Sequence, residues 1–295
     1  MTVRAITVGH LYPEIMSGCG DRGNVAAIAA RCGWRGIATD VRDLRLGDPV
    51  GPGEVDLFVI GNGGEFHQRL IAADLADVKG PGICEAVDEG AALLAVGAGY
   101  ELLGRFYQPS RGVELPGARL FDTWTIQRGA DLTTASCTLA EARAGRAIGD
   151  LLVRWDCAGP GGRPPGTPGG GDDLLVGFEN HSARTYLGPT ASPLGQVVAG
   201  HGNNGDGGEG VRLGNAIGTY LRGPCLPRNP ALTDFLIRAA LQRRYGEAEL
   251  GPLPDQLEHA ARDAAMARHQ GSRPGRSRSK RVVKSARYAP AGAGR

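Results

Sequence analysis

The chain has 295 residues, 41% of them hydrophobic, with 33 Lys/Arg against 31 Asp/Glu. That suffices for one large α/β domain or two small ones with a real core, and so small a net charge gives no global attraction to nucleic acid. The six cysteines, at 19, 32, 84, 137, 157 and 225, form no CxxC pair and no zinc-type Cys/His spacing, so reduced thiols, no metal, no cofactor and a cytoplasmic location are expected. The sequence contains no signal-type or membrane-spanning apolar run.

The first hundred residues alternate strand and helix signals. Ala5 to Val8, Gly36 to Val41, Asp56 to Ile60 and Ala91 to Val96 read as strands, the last two as continuous apolar runs suited to burial on both faces. Asn24 to Cys32, Phe66 to Val78 and Tyr100 to Phe106 read as helices, with Leu70, Ile71 and Leu75 at helical spacing. Such alternation predicts a mainly parallel sheet covered by helices. Then β-type runs dominate: Thr123 to Gln127, Leu132 to Thr138, Leu151 to Trp155, Leu174 to Phe178, Gln196 to Ala199 and Ala216 to Leu221. A Gly/Pro-rich stretch from Cys157 to Asp172 reads as a hairpin loop. Pro230 to Tyr245 reads as an amphipathic helix opened by proline, and Leu257 to His269 as one more. From Gly271 to Arg295 eight Lys/Arg occur with no acid, the composition of a solvated basic tail.

Three segments carry chemistry. In AALLAVGAGYELLG, Ala91 to Gly104, a buried strand meets a Gly-rich turn and a helix begins at once. That is the shape of a nucleophile elbow, opening at the carboxyl edge where open α/β sheets bind ligands. It is also the shape of an ordinary strand-turn-helix with close backbone packing. The tip residue is Gly97, which has nothing to react. In GFENHSARTYLG, Gly177 to Gly188, His181 is either a general base or a surface histidine bonded to nearby backbone. The third segment, Gly200 to Pro230, is a Gly/Asn/Asp loop, an apolar run and Arg222-Gly223-Pro224.

Together these segments resemble the GatD-type glutamine amidotransferase subunits. LYPEIMSGCGDRGNVAAIAARCGWRGI is similar to that family's opening segment, with its Tyr-Gly-Asp-Arg-Gly-Asn core. Gly61 to Gln68 falls on its Gly-Gly-Gly-Gln-Asp-Arg-x-Gln loop. AVGAGYELLG falls on Ala-Val-Cys-Gly-Gly-Tyr-Gln-Leu-Leu-Gly, and the two later segments match nearly residue by residue. The resemblance implies the class I, CobB/CobQ-like amidotransferase fold over residues 1–246, followed by a helical extension (247–270) and the basic tail (271–295). It implies a glutaminase in which a Cys/His pair releases ammonia. It implies a partner, a MurT-like Mur ligase subunit that amidates the D-glutamate carboxylate of the lipid II stem peptide with ATP.

The departures are concentrated at the chemistry. The cysteine position is Gly97, which closes the covalent route there. Its neighbours read Ala98 and Glu101, and the Gln-Asp-Arg of the third-strand loop reads Gly64-Glu65-Phe66. The glutamine-holding arginine falls on Asp131, or on Arg128 if the alignment slips by three. The wider group's Leu-His-Gly reads Leu221-Arg222-Gly223. His181 stands in the base position, facing Gly97 and partly open to solvent, and Gly63, Gly64 and Ala98 fall in the oxyanion-hole region. A GatD-like subunit with impaired glutaminase activity is therefore expected. The alternatives are a small-ligand-binding or regulatory protein on the same fold, and an active glutaminase whose nucleophile is displaced to Cys19. The tail offers contact with anionic lipid.

Overall fold

The computed structural model describes residues 4–128, 145–155, 173–247 and 249–271. The chain opens with β1 (Ala5–Leu11), α1 (Arg22–Gly33), β2 (Ala38–Leu44) and β3 (Leu57–Ile60). Next, α2 (Glu65–Ala73) continues through a π-helical turn, Asp74–Lys79, into α3 (Gly80–Asp88). Then β4 (Ala92–Val96) leads directly into α4 (Ala98–Leu102). Short strands follow: β5 (Phe106–Gln108), β6 (Leu115–Pro116), β7 (Thr123–Ile126), β8 (Ala147–Trp155), β9 (Leu174–His181), β10 (Arg184–Leu187), β11 (Gly195–Ala199), β12 (Gly208–Glu209), β13 (Val211–Leu213) and β14 (Ala216–Thr219). The helices α5 (Pro230–Tyr245) and α6 (Gln256–Gly271) come last.

Six strands form the main sheet, in the order β13-β14-β4-β3-β1-β2, parallel except for the edge strand β13. Its centre is dry: Leu57 to Ile60 and Ala92 to Val96 are buried throughout, as continuous apolar runs in a doubly covered sheet must be. The step from β1 to β2 goes one way along the sheet and the step from β3 to β4 the other. Right-handed crossovers therefore put α1 on one face and α2–α3 on the opposite one. On the first face α5 lies across β1, β3 and β4 beside α1, burying Leu232, Leu236, Ile237 and Ala240. It starts on Pro230 and stops at Gly246, whose φ of +70° is the usual left-handed helix stop.

Two four-stranded sheets, β10-β7-β5-β6 and β12-β11-β8-β9, complete the fold. The second joins the main sheet's exit through a bridge between Phe178 and Arg222, in which each backbone N–H meets the other's carbonyl, at 3.3 and 2.8 Å. The chain's end is tied to its beginning. The Arg31 guanidinium of α1 donates to both oxygens of Asp234 on α5, at 2.8 and 3.0 Å, and of Asp255, just before α6, at 2.6 and 3.0 Å. Ala265 and Met266 of α6 close a small cluster over Leu152, Val176 and Ala199.

The parallel sheet flanked by helices is as the sequence predicts. Two local expectations are corrected. The helix expected through Phe106 stops at Leu102, and Phe106 opens β5. The helix expected to end at Val78 passes through the π turn and continues as α3, because Gly80-Pro81-Gly82 sits at a helix start, where proline's missing N–H is harmless. The Ala216 to Leu221 run is a strand, as expected, and it supplies β14 of the main sheet, parallel to β4. The Leu132 to Thr138 run, the Gly/Pro-rich stretch, Asp131 and the basic tail lie outside the described residues.

Candidate functional site

β4 is central, with β3 on one side and β14 on the other, so three parallel carboxyl ends converge. β4 ends at Val96 and α4 starts at Ala98, and the whole reversal falls on Gly97, at φ +57° and ψ −116°. Side-chain-bearing residues seldom adopt that conformation. Backbone bonds hold the turn: Gly97 N donates to Thr219 O at 2.9 Å, and Glu101 N to Gly97 O at 3.0 Å. The elbow is therefore fully formed around a residue with no side chain.

Its neighbours fill the space a side chain would need. A Cβ added at Gly97 would stand 2.9 and 3.0 Å from Nε and Nη2 of Arg222, and closer still to Oδ1 of Asn62. Asn62, from the loop after β3, is tied down on every side. Its N donates to Asp21 Oδ2 at 2.8 Å, its O accepts from Gly18 N at 2.8 Å, and its Nδ2 donates to Cys19 Sγ at 3.3 Å. Its Oδ1 accepts from Ala98 N at 3.0 Å, so the amide that follows the elbow is already engaged. Gly64 N likewise donates to His67 Nδ1 at 3.1 Å. Burial raises the Asp21 carboxyl pKa, against backbone bonds and the charge of Arg222, which lower it.

His181 closes β9. The sequence reading has it partly open to solvent; it is in fact buried, 3% exposed. Its ring stacks on Tyr220 at 3.7 Å between centroids, its Nδ1 lies 2.8 Å from the carbonyl of Ala183, and its Nε2 lies 3.5 Å from Glu179 Oε2. Burial costs the Glu179 carboxylate, yet bonds from His181, His201 and the His201 amide outweigh it and hold the carboxyl below its usual range. Glu179 also accepts from Gly202 N at 3.1 Å, which anchors the Gly/Asn-rich loop to β9.

A cleft of about 320 Å³ brings Asn62, Gly63, Gly64, Glu101, His181 and Arg222 together. Its floor is a chain of hydrogen bonds. Glu101 accepts from Gln68 at 2.7 Å and from Tyr220 OH at 3.0 Å, and Tyr220 meets Thr185 and then Thr125, each at 2.7 Å. Arg128 is exposed at the end of β7, and Gln127 beside it lines the cleft. A larger cavity of about 590 Å³, between Arg105, Asp122 and Arg212, lies away from the elbow. Among the described residues no group of three or more His, Cys, Asp or Glu could hold a metal ion, and no helix is long and apolar enough to cross a membrane.

Sequence reasoning missed Glu179 and Asn62. Glu179 precedes His181 by two on one strand, so both point to the same side, and that spacing was a usable signal. Asn62 is the one side chain in Gly61-Asn62-Gly63-Gly64, on a loop that must approach the elbow closely.

An open parallel sheet with a strained elbow at the carboxyl end of a central strand defines the class I amidotransferase type of α/β protein. Residues 7–230 match the CobB/CobQ-like glutamine amidotransferase domain, and the chain belongs to that family. It is 30% identical over 264 residues to the GatD subunit of lipid II isoglutaminyl synthase (glutamine-hydrolyzing) from Staphylococcus aureus, covering 89% of this chain and 96% of that protein. The Streptococcus pneumoniae subunit of the same name is 30% identical over 243 residues, covering 82% of this chain and 83% of its own. PurLQS from Thermotoga maritima has a similar fold, with a TM-score of 0.50 at 14% identity over 82% of this chain and 97% of that one.

Proposed function

We propose that this chain is the GatD-like subunit of a Mur-ligase-type amidating complex acting on lipid II, and that its own glutaminase site is closed. The observation that carries the second half is the elbow. Its backbone is formed, but the nucleophile's place is held by the Asn62 amide and the Arg222 guanidinium. Thioester formation needs an attacking atom and a free donor for the oxyanion. Gly97 has no such atom, and Ala98 N already donates to Asn62. His181, in the base position, is packed against Tyr220 with no thiol to deprotonate. In the sequence match to the family, the glutamine-holding arginine falls on Asp131, or on Arg128 if the alignment slips by three. The chain then serves its MurT-like partner as a docking or regulatory subunit, with ammonia arriving from elsewhere.

The purified protein, alone and with a Mur-ligase homologue from the same genome, is expected to release no glutamate from glutamine above background. Turnover at an ordinary enzymatic rate overturns the proposal. A second reading has one observation in its favour: Cys19 Sγ lies against Asn62 at 3.3 Å, close to the elbow. If Cys19 were a displaced nucleophile, Cys19→Ser would abolish any turnover found.

A further inference from the structure

The charge at the elbow is opposite to what a thiolate would bring. Arg222 enters from the end of β14 and puts its guanidinium beside the site of the missing side chain. Its Nε is buried and has no hydrogen-bond partner among the described residues, and no carboxylate of those residues pairs with it within 4.0 Å. A buried donor left unpaired is unfavourable and calls for an acceptor, and a planar guanidinium fork is best matched by an oxyanion. Asp21, whose carboxyl feels the charge of Arg222, accepts from Asn62 N through Oδ2, and its Oδ1, though unpartnered among the described residues, does not bond the guanidinium.

The rest of the cleft wall is zwitterionic. Arg146, near the mouth, donates to Asn180 at 2.7 and 2.9 Å and to Ser182 at 3.1 Å. Glu65, on the first turn of α2, is part-exposed and pairs with Arg69 at 2.9 Å. A cation and an anion at the mouth suit the α-carboxylate and α-ammonium of an amino acid, and a second cation at the depth suits a terminal carboxylate. Phosphate carries no ammonium for Glu65 or Glu101, the two carboxylates that line the cleft.

We propose that the cleft binds a small amino acid whose side chain ends in a carboxylate, glutamate in preference to glutamine, with Arg222 as the residue that tells the two apart. The inference rests on the closed-elbow reading, since an open glutaminase site must accept the amide. The discrimination is physical. The two ligands share a shape, but the amide turns an NH2 donor toward guanidinium donors where the carboxylate offers two acceptors, a difference worth roughly tenfold or more in affinity.

Titration calorimetry on the full chain with L-glutamate, L-glutamine and inorganic phosphate tests it. Glutamate is expected to bind at least about tenfold more tightly than glutamine or phosphate, with Arg222→Gln erasing the preference and Arg222→Lys keeping part of it. Equal or tighter binding of glutamine or phosphate, no binding of glutamate, or an unchanged preference in Arg222→Gln overturns it. The comparison of ligands on the unaltered protein decides the matter even if a variant fails to fold. Assaying the same samples for glutamine hydrolysis separates the two readings. Turnover sinks the closed site, whereas absent turnover with absent preference sinks this inference alone.

Discussion

Placing a cysteine at Gly97 should damage the protein and leave it without glutaminase activity. At φ +57° an L side chain carries about 1–3 kcal/mol of backbone strain. The new Cβ would also meet Arg222 at 2.9 and 3.0 Å and Asn62 Oδ1 more closely still. Arg222 is a long side chain that can swing away. Asn62 has its amide bound at both ends, to Ala98 N and to Cys19, and its backbone bound to Asp21 and Gly18, so it yields only by breaking bonds. Crowding of this kind adds about 1–3 kcal/mol, and Gly97→Cys is expected to destabilise by about 2–5 kcal/mol in all. Asn62→Gly by itself loses two side-chain hydrogen bonds and should cost about 1–2 kcal/mol. In the Gly97→Cys background the same change should instead stabilise. That reversal of sign is a coupling of about 1–3 kcal/mol, within the usual range for touching residues. Urea unfolding of the parent, both single variants and the double variant measures it. Additive effects, or a Gly97→Cys protein as stable as the parent, would show that Asn62 does not fill the space a side chain at residue 97 would need. Glutamine hydrolysis by the single Gly97→Cys variant would show the same.

Two further outcomes follow from buried groups. Burial pushes the Glu209 carboxyl up to about 7 from a usual 4.5, against bonds from Tyr220 N and Thr219 that lower it. The folded state thus holds this proton more tightly than the unfolded one. Its contribution is complete below a pH of about 4.5 and is lost as pH rises through about 7, a fall of about 3 kcal/mol; Glu209→Gln should flatten that slope in urea unfolding across the range, and equal slopes would refute it. His181→Ala, which a partly open histidine would tolerate, should instead cost about 2–3 kcal/mol, because the ring packs on Tyr220 and bonds the Ala183 carbonyl; a loss in urea unfolding under about 0.5 kcal/mol would refute that account.

The parallel core was legible because its strands are apolar without interruption. DLFVI and AALLAV can only be buried on both faces, and the glycines after each mark the carboxyl edge. The pieces around the elbow were less so. Ala216 to Leu221 carries the same apolar signal as Ala91 to Val96, but nothing local says that a strand more than a hundred residues later completes the sheet. The helix read from Phe66 to Val78 in fact runs on into α3, because proline in Gly80-Pro81-Gly82 falls on a first helical turn, which apolar spacing alone does not reveal. That residue 97, at the tip of the turn, has no side chain to react was plain from one letter. What fills the space came from Asn62 and Arg222, far from it and from each other in sequence, and only the convergence of β3, β4 and β14 brings them together.

The clasp around Arg31 bears on what counts as the unit of folding. Resemblance to the family model stops at residue 230, and the composition invites a division a few turns later. Cohesion does not follow that line. One of the two carboxylates on Arg31 comes from beyond it, and so do the side chains that cap Leu152, Val176 and Ala199. The last described helix, with Asp255 just before it, therefore behaves as a keystone laid after the arch: late in sequence, yet holding the first helix and the paired strands β8 and β9 in one piece.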